Sequence, residues 1–390
     1  MNGFSPRAPR GLFCYTLAMA EKQFMMGNEV LARAARAAGA TAMYGYPITP
    51  GSEILLWWAK EAGSEQGKKD DMVFVQAEDE IGASFMLLGS VLAGRRSFTV
   101  TAGPGNVLMQ DAFSMAEAMR TPVVAYINQR GGPSTSTVIY SQSEVWLTAY
   151  GGNGNGYRIV YSTATLQELY DYGIKVFNIA WKYRFPTFLL SDGYQAKMMG
   201  EVELYDPASR GIEMVPTERY LLEEKRDRPI NEVVPKPEVH IRVQDGVEYS
   251  CYRNCLNLEE ETLQVNMEIK EAWDKMAPDI EESETYGNAE AKILVIAHGI
   301  VSQSAKAAID ATEGKARLFR PITINPFPRK ALLEAAKGAE TIIVAESAIN
   351  QLARIVRDGL YDMPGPKMIE HFRPSIGIYP EEIAELIKNA

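Results

Sequence analysis

Three cysteines and three histidines are all that 390 residues offer toward a zinc or iron–sulfur site. Cys14, Cys251 and Cys255 are too few for a disulfide framework. Cys251 and Cys255 form a C-x-x-x-C pair with no second pair beside it, and His240, His298 and His371 lie far apart. A zinc or iron–sulfur site built by this chain alone is not expected, and the cysteine pair reads as buried or idle thiols. Basic residues are short as well: 40 Lys and Arg stand against 50 Asp and Glu, a net charge of −10. No Lys/Arg stripe exists to replace phosphate counterions, which argues against a nucleic-acid partner. No apolar run reaches the roughly 18–20 residues that span a bilayer, so no membrane partner is expected. The N-terminal stretch has only a short apolar part, GLFCYTLAMA, that blends into polar sequence. It reads as an ordered or frayed arm of a cytoplasmic protein and not as a secretory signal. A G-x-x-x-x-G-K-[ST] phosphate loop is missing, and GGNGNG (151–156) lacks the G-x-G-x-x-G spacing and precedes a strand, which excludes a Rossmann site.

What is present is alternation. Apolar segments of five or six residues (TAMYGY, MVFVQA, SFTVTA, VVAYIN, RIVYS, TFLLS) alternate with helical patterns from residue 28 to 200. This predicts a parallel sheet covered on both faces. Residues 205–288 are richer in Pro, Glu and Arg and read as an extended connection with one helix, EEETLQVNMEIKEAWDKM. From 291 the alternation resumes, so the expected layout is 1–204, 205–288 and a smaller α/β unit at 289–390.

Ligands of an open parallel sheet sit at the carboxyl ends of its strands, and four loops there are unusual. YPITPGSE packs two prolines around Thr49; QAEDE sets Glu78, Asp79 and Glu80 after a strand; TAGPGN brackets Pro104 with Gly103 and Gly105; INQRGGPSTST carries Arg130 beside Gly131 and Gly132. Each has a plainer alternative. Thr49–Pro50 fits a helix cap followed by proline at the first helical position. The acids suit the positive end of a helix dipole, and G-P-G is a tight turn. Arg130 is either a surface residue or a bidentate partner for a carboxylate.

Together, in this order, YPITP, E-D-E-I, T-x-G-P-G and QR-G-GPST resemble the α subunit of the 2-oxoacid:ferredoxin oxidoreductases, a family acting on 2-oxoglutarate, pyruvate, branched-chain 2-oxoacids and aromatic ones such as phenylglyoxylate. RPITINPFP (320–328) is similar to that family's RPxTLWPFP, and AESAINQLARIVR to its E-N-x-x-GQLA segment. The resemblance covers about residues 25–200 and 290–360. It implies an α/β fold made of a pyrimidine-type thiamine diphosphate-binding domain and a transketolase C-terminal-like domain. It further implies a cofactor shared with a β subunit that brings the diphosphate/Mg motif and an iron–sulfur cluster. Ferredoxin-like γ and δ subunits and the substrates 2-oxoacid and coenzyme A follow from it too. The string SDG (191–193) has no matching downstream Asn, so this chain looks like half a site.

Residue by residue, the resemblance assigns Glu78 to the glutamate that hydrogen-bonds the aminopyrimidine. It assigns Thr49 and Arg130 to the pair that holds the substrate carboxylate, and Pro47, Ile48, Gly103, Pro104 and Gly105 to the cofactor's surroundings. The implied reaction is coenzyme A-acylating oxidative decarboxylation with electrons leaving to ferredoxin or NAD. The alternatives are a non-oxidative thiamine decarboxylase or transketolase-like subunit, and a catalytically silent scaffold. The chain departs from the family at Ser136, where GPSTG has glycine, and at Asn153–Gly154, where His–Gly is common. It also lacks the Gly-x-Glu-His-Asp segment. These departures leave the thiamine-site residues untouched and the 2-oxoacid open: 2-oxoglutarate, or another such as phenylglyoxylate or a branched-chain 2-oxoacid.

Overall fold

The computed structural model describes residues 21–138, 141–217, 223–224, 239–244, 247–252, 259–363 and 365–390. The N-terminal arm, Cys14 and Cys255 lie outside them. The chain opens with β1 (Glu21–Met26) and α1 (Gly27–Ala37), followed by β2 (Ala42–Gly45), α2 (Ser52–Gly63) and α3 (Glu65–Lys69). Next come β3 (Val73–Gln76), α4 (Glu80–Leu92), β4 (Ser97–Thr101), α5 (Pro104–Leu108) and α6 (Gln110–Ala118). The first unit closes with β5 (Val124–Gln129), α7 (Val145–Tyr150), β6 (Ile159–Ser162), α8 (Leu166–Tyr183) and β7 (Thr187–Asp192).

The main sheet has 7 strands, ordered from a short segment Thr323–Asn325 through β6, β7, β5, β4 and β2 to β3. All pair in parallel except Thr323–Asn325, which runs antiparallel to β6. Period-2 alternation sends Val124 and Tyr126 of β5 to one core and Ala125 and Ile127 to the other. The first core is covered by α1, α2 and α8, with Trp58 edge-on to Phe98 at 4.9 Å; the second by α4 and α6. Burial on both faces explains why these strands are apolar without interruption. The long helix Glu259–Ile280 in the connection places Ile269, Trp273, Met276 and Ile280 in the first core.

A second sheet of 5 strands runs Ser283–Gly287, Ala316–Pro321, Ile293–Ile296, Thr341–Glu346, Lys367–Phe372. Only its first strand is antiparallel, and each face has its own core. The stretch ARLFRPITI, which reads as one strand, is divided at Ile322: Ala316–Pro321 joins the second sheet and Thr323–Asn325 the first. The two sheets are tied further by loop 141–146. Gln142 N donates to the Ser347 carbonyl and Gln142 Oε1 accepts from Ser347 N, both at 3.0 Å. His298 Nδ1 meets Ser162 Oγ at 2.8 Å across the same junction, and burial pushes its pKa down to about 3. Arg320, buried there, pairs with Glu168 and Glu284. Among the described residues no helix is long and apolar enough to cross a membrane.

Candidate active site

The Y-P-I-T-P turn leaves β2 and enters α2 at Ser52, whose N-cap is Gly51 with no side-chain cap. Thr49 therefore does not cap the helix. It is exposed, and its hydroxyl has no partner among the described residues. The turn itself is held by a buried polar chain. Asn28 Nδ2 donates to the Pro50 carbonyl at 2.7 Å, Asn28 Oδ1 accepts from Asn128 Nδ2 at 2.7 Å, and Asn128 Oδ1 accepts from Ser191 Oγ at 2.8 Å. Asn28 and Asn128 are fully buried, so the chain pins the turn to α1 and to the ends of β5 and β7. Sequence reasoning overlooked these asparagines. The visible signal is Asn128 itself, a polar residue at the end of the apolar run VVAYI.

Arg130 leaves the end of β5 and is 5% exposed. Its Nη1 donates to the Thr49 carbonyl at 2.9 Å, while its Nε is buried without a partner. The side chain passes over Gly103, where a Cβ would sit 2.6 Å from that Nε. Gly103 also takes φ +52°, so two independent constraints require glycine. Thr49, Gly103 and Arg130 are thus gathered from three strand ends. Pro47 is exposed and Ile48 half-buried in the same turn, and Pro104 opens α5.

The acids divide by helical phase. Asp79 caps α4, accepting from Gly82 N at 2.7 Å. Glu78 precedes the cap, is exposed, and makes no side-chain hydrogen bond among the described residues. Glu80, the first residue of α4, lies on the inward stripe with Ala83, Ser84, Leu87, Leu88 and Val91 and is 6% exposed. A Cβ on Gly105 would lie 2.7 Å from Glu80 Oε1 and would strike Thr101 Oγ1, itself buried without a partner. The G-P-G turn therefore offers Gly103 to the arginine and Gly105 to an inward carboxyl, and that carboxyl is Glu80. Glu78, ahead of the cap, faces solvent, whereas Glu80 at the first helical position falls on the buried face. The 3.6-residue stripe through EIGASFMLLGSVL carried that signal.

Behind this cluster lies a buried network. Glu144 accepts from Arg130 N and from Asn106 Nδ2, each at 3.0 Å, and from Gly103 N. Gln110 donates to Asn106 Oδ1 at 2.9 Å and accepts from Arg158 Nη1 at 2.6 Å; Arg158 Nε faces Glu117 Oε2 at 3.3 Å. The glycine-rich loop 151–156 folds onto that end: a Cβ at Gly151 or Gly154 would meet Gln110 Oε1 or Glu117 Oε2 at 2.5 Å. Asp192, the acid of S-D-G, is buried and accepts from Tyr194 N and Gln195 N at 2.9 Å; burial pushes its pKa up to about 6. It also lines a cavity of about 320 Å³ between the two sheets, with Ser141, Tyr194, Ser304, Ser347 and Ser375.

Residues 33–275 match the family model described as pyruvate flavodoxin/ferredoxin oxidoreductase, thiamine diphosphate-binding, and 291–377 match pyruvate:ferredoxin oxidoreductase core domain II. The 2-oxoglutarate synthase subunit KorA of Methanothermobacter marburgensis is 31% identical over 86% of this chain and 90% of its own length. The ketoisovalerate oxidoreductase subunit VorB of the same organism is 30% identical over 86% and 89%. A solved 2-oxoglutarate:ferredoxin oxidoreductase from Magnetococcus marinus superposes with a TM-score of 0.79 at 22% identity, over 95% of this chain and 65% of that one. At that identity the likeness speaks for the fold alone, as does that of a split-gene transketolase at a TM-score of 0.55 and 13% identity, over 94% and 98%. The chain spans about two thirds of the Magnetococcus chain, but 90% and 89% of the two Methanothermobacter subunits. With one family model matching more than half of its residues and relatives near 30% identity along most of their length, the chain belongs to the 2-oxoacid:ferredoxin oxidoreductases, as an α subunit.

Proposed function

We propose that this α subunit works in a multi-subunit enzyme that converts a 2-oxoacid and coenzyme A into acyl-coenzyme A, carbon dioxide, a proton and two electrons. The electrons leave through iron–sulfur clusters on partner subunits to ferredoxin or NAD. The observation that carries the proposal is Arg130: a buried guanidinium fixed on one side by the Thr49 carbonyl, with its Nε lacking any acceptor. A largely buried guanidinium at a strand end, with hydrogen-bonding capacity left over, is suited to a carboxylate. Thr49, whose carbonyl holds that guanidinium, is exposed and keeps its hydroxyl available.

The residues on the other side of the G-P-G turn fit thiamine diphosphate. Glu80 presents a carboxyl with no protein partner among the described residues, and Gly105 keeps the space beside it clear of a side chain. Thiamine diphosphate, when bound, supplies a nucleophilic carbon and an electron sink that no side chain provides. Glu78, exposed on the same segment as Ile81, or the inward Glu80 would hold a proton against a pyrimidine ring nitrogen, which is general acid–base work. Arg130 and Thr49 would orient the substrate carboxylate.

Completion by a β subunit is supported by two features. Asp192 of S-D-G caps a short helix, engaged with backbone N–H groups. Tyr46, Ile81, Phe85, Val107 and Leu108 are exposed on the segments that carry the site, an apolar rim of the kind that marks an interface. The substrates named for the relatives make 2-oxoglutarate and branched-chain 2-oxoacids the first to try.

The test is a panel of 2-oxoacids with coenzyme A and a viologen dye, run on the complex that co-purifies with this chain. Substrate-dependent dye reduction with acyl-coenzyme A formation supports the proposal. Carbon dioxide release with aldehyde and no dye reduction would favour a non-oxidative decarboxylase. The isolated chain should be colourless and bind thiamine diphosphate weakly; tight binding or stoichiometric iron would refute the shared site.

A further inference from the structure

We propose that Glu144 is a positioning residue that locks the loop carrying Arg130 to the G-P-G turn and so sets how Arg130 meets a carboxylate. The inference rests on the proposed role of Arg130. Glu144 is 4% exposed and sits between the two loops, taking Arg130 N on Oε1 and Asn106 Nδ2 on Oε2, each at 3.0 Å, with Gly103 N as a further donor. It holds Arg130 by the backbone, leaving the guanidinium to Thr49 and to a ligand.

The network also has a direction. Arg158 has five donors and no acceptor, and its charge faces Glu117. Gln110 must therefore turn Oε1 to Arg158, which sends its Nε2 to Asn106 Oδ1. Asn106 is then obliged to present Nδ2 to Glu144. Both carboxylate oxygens of Glu144 face N–H groups, a demand that a carboxylate meets and an amide does not. Burial pushes the Glu144 pKa up, while the N–H groups of Arg130 and Gly103 act against that shift. In E144Q the new amide would point its NH₂ at Arg130 N or at Asn106, and no amide flip relieves this, because the chain is anchored by an arginine.

The experiment compares the intact complex carrying E144Q, R130K, both together, and the swap E144Q/N106D. In the swap, the carboxylate introduced by N106D would accept from Gln110, from the amide introduced by E144Q and from Thr148, whose hydroxyl would turn to it from the carbonyl of residue 144, restoring donor–acceptor order. E144Q should raise KM for the 2-oxoacid about tenfold and weaken binding of oxamate, titrated calorimetrically, to the same extent. It should change kcat less than about threefold and leave thiamine diphosphate content intact. The swap should return KM to within about threefold of wild type. E144Q added to R130K should cost little more, since both act through one guanidinium. Should E144Q not assemble, E144D keeps the charge but falls a methylene short, and should raise KM about threefold or more. An unchanged KM and oxamate affinity in E144Q, or in E144D where only that variant assembles, overturns the inference. So does an E144Q effect that multiplies fully with R130K. An unaltered KM in R130K would instead refute the role of Arg130 itself.

Discussion

Replacing Glu80 by glutamine keeps its volume and its place on the inward face of α4 but removes the proton it can exchange. The side chain is 6% exposed and has Gly105 and the unpartnered Thr101 hydroxyl as its nearest company. An uncharged amide there leaves no buried charge unpaired, so folding, assembly and thiamine diphosphate content should be close to wild type. Losing acid–base assistance typically removes two to four powers of ten in rate. At about 1.4 kcal/mol per decade this corresponds to roughly 3–5 kcal/mol of transition-state stabilisation. Glu78→Gln alters an exposed carboxyl ahead of the helix cap. If Glu80 carries the role, Glu78→Gln should change turnover by little more than about twofold, or about 0.5 kcal/mol. Two assays separate the acids: viologen reduction with coenzyme A, and exchange of the C2 proton of bound thiamine diphosphate in deuterated solvent. The second is independent of substrate and electron acceptor. Normal exchange and turnover in Glu80→Gln, with both impaired in Glu78→Gln, would refute a role for Glu80 and assign it to Glu78.

Arg130→Lys should raise KM for the 2-oxoacid steeply, by the equivalent of about 2–5 kcal/mol, because lysine lacks the planar fork; near-normal kinetics would make Arg130 structural. Thr49→Val should cost only about 0.5–1.5 kcal/mol in kcat/KM and leave thermal stability unchanged, since Gly51 and not Thr49 is the N-cap of α2. Asn28→Ala strands the Pro50 carbonyl and the Asn128 amide in the interior; at about 1–3 kcal/mol per buried unsatisfied group, the urea midpoint should fall clearly and KM should rise with it. His298 is held neutral, its pKa lowered from 6.5 to about 3 by burial and then by Arg320. The unfolded chain binds this proton first, so the stability it contributes is complete above pH 6.5 and is lost as pH falls toward 3. Denaturation followed from about pH 7 to about pH 4 should show a smaller acid loss in His298→Gln than in wild type.

Much of this was legible because local pattern and global fold agree. Strands buried on both faces must be apolar throughout, so VVAYIN and TFLLS announced themselves, and the loops after them marked the site. Thr49 and Arg130 are singled out by the resemblance of their loops to the family's, and the fold brings those two loops into contact. Glu78 is singled out by its match to the family's glutamate, while the burial of Glu80 emerges only once the first residue of the helix is known. One residue of phase decides which acid is buried. Asn28, Asn128 and Glu144 escaped notice for another reason: their partners stand 22, 100 and 14 residues away, and no periodicity encodes such pairings. The pairing of β1 with Met199–Leu204 and the division of ARLFRPITI between two sheets are likewise long-range choices.

The short strand Thr323–Asn325 also has a meaning for the order in which the protein is made. It closes the edge of a sheet whose other strands are all translated before residue 193, and it pairs with Tyr161 and Val160 of β6. At about 5–20 residues per second, the ribosome delivers it roughly 10–30 s after β6 has emerged. For that interval β6 carries unpaired backbone donors and acceptors along an apolar strand, a template for pairing with a neighbouring nascent chain. A fragment ending near residue 290 is thus expected to aggregate through this edge, and adding residues 291–390 as a separate chain to suppress it. The C-terminal unit is a built-in edge guard for the N-terminal one.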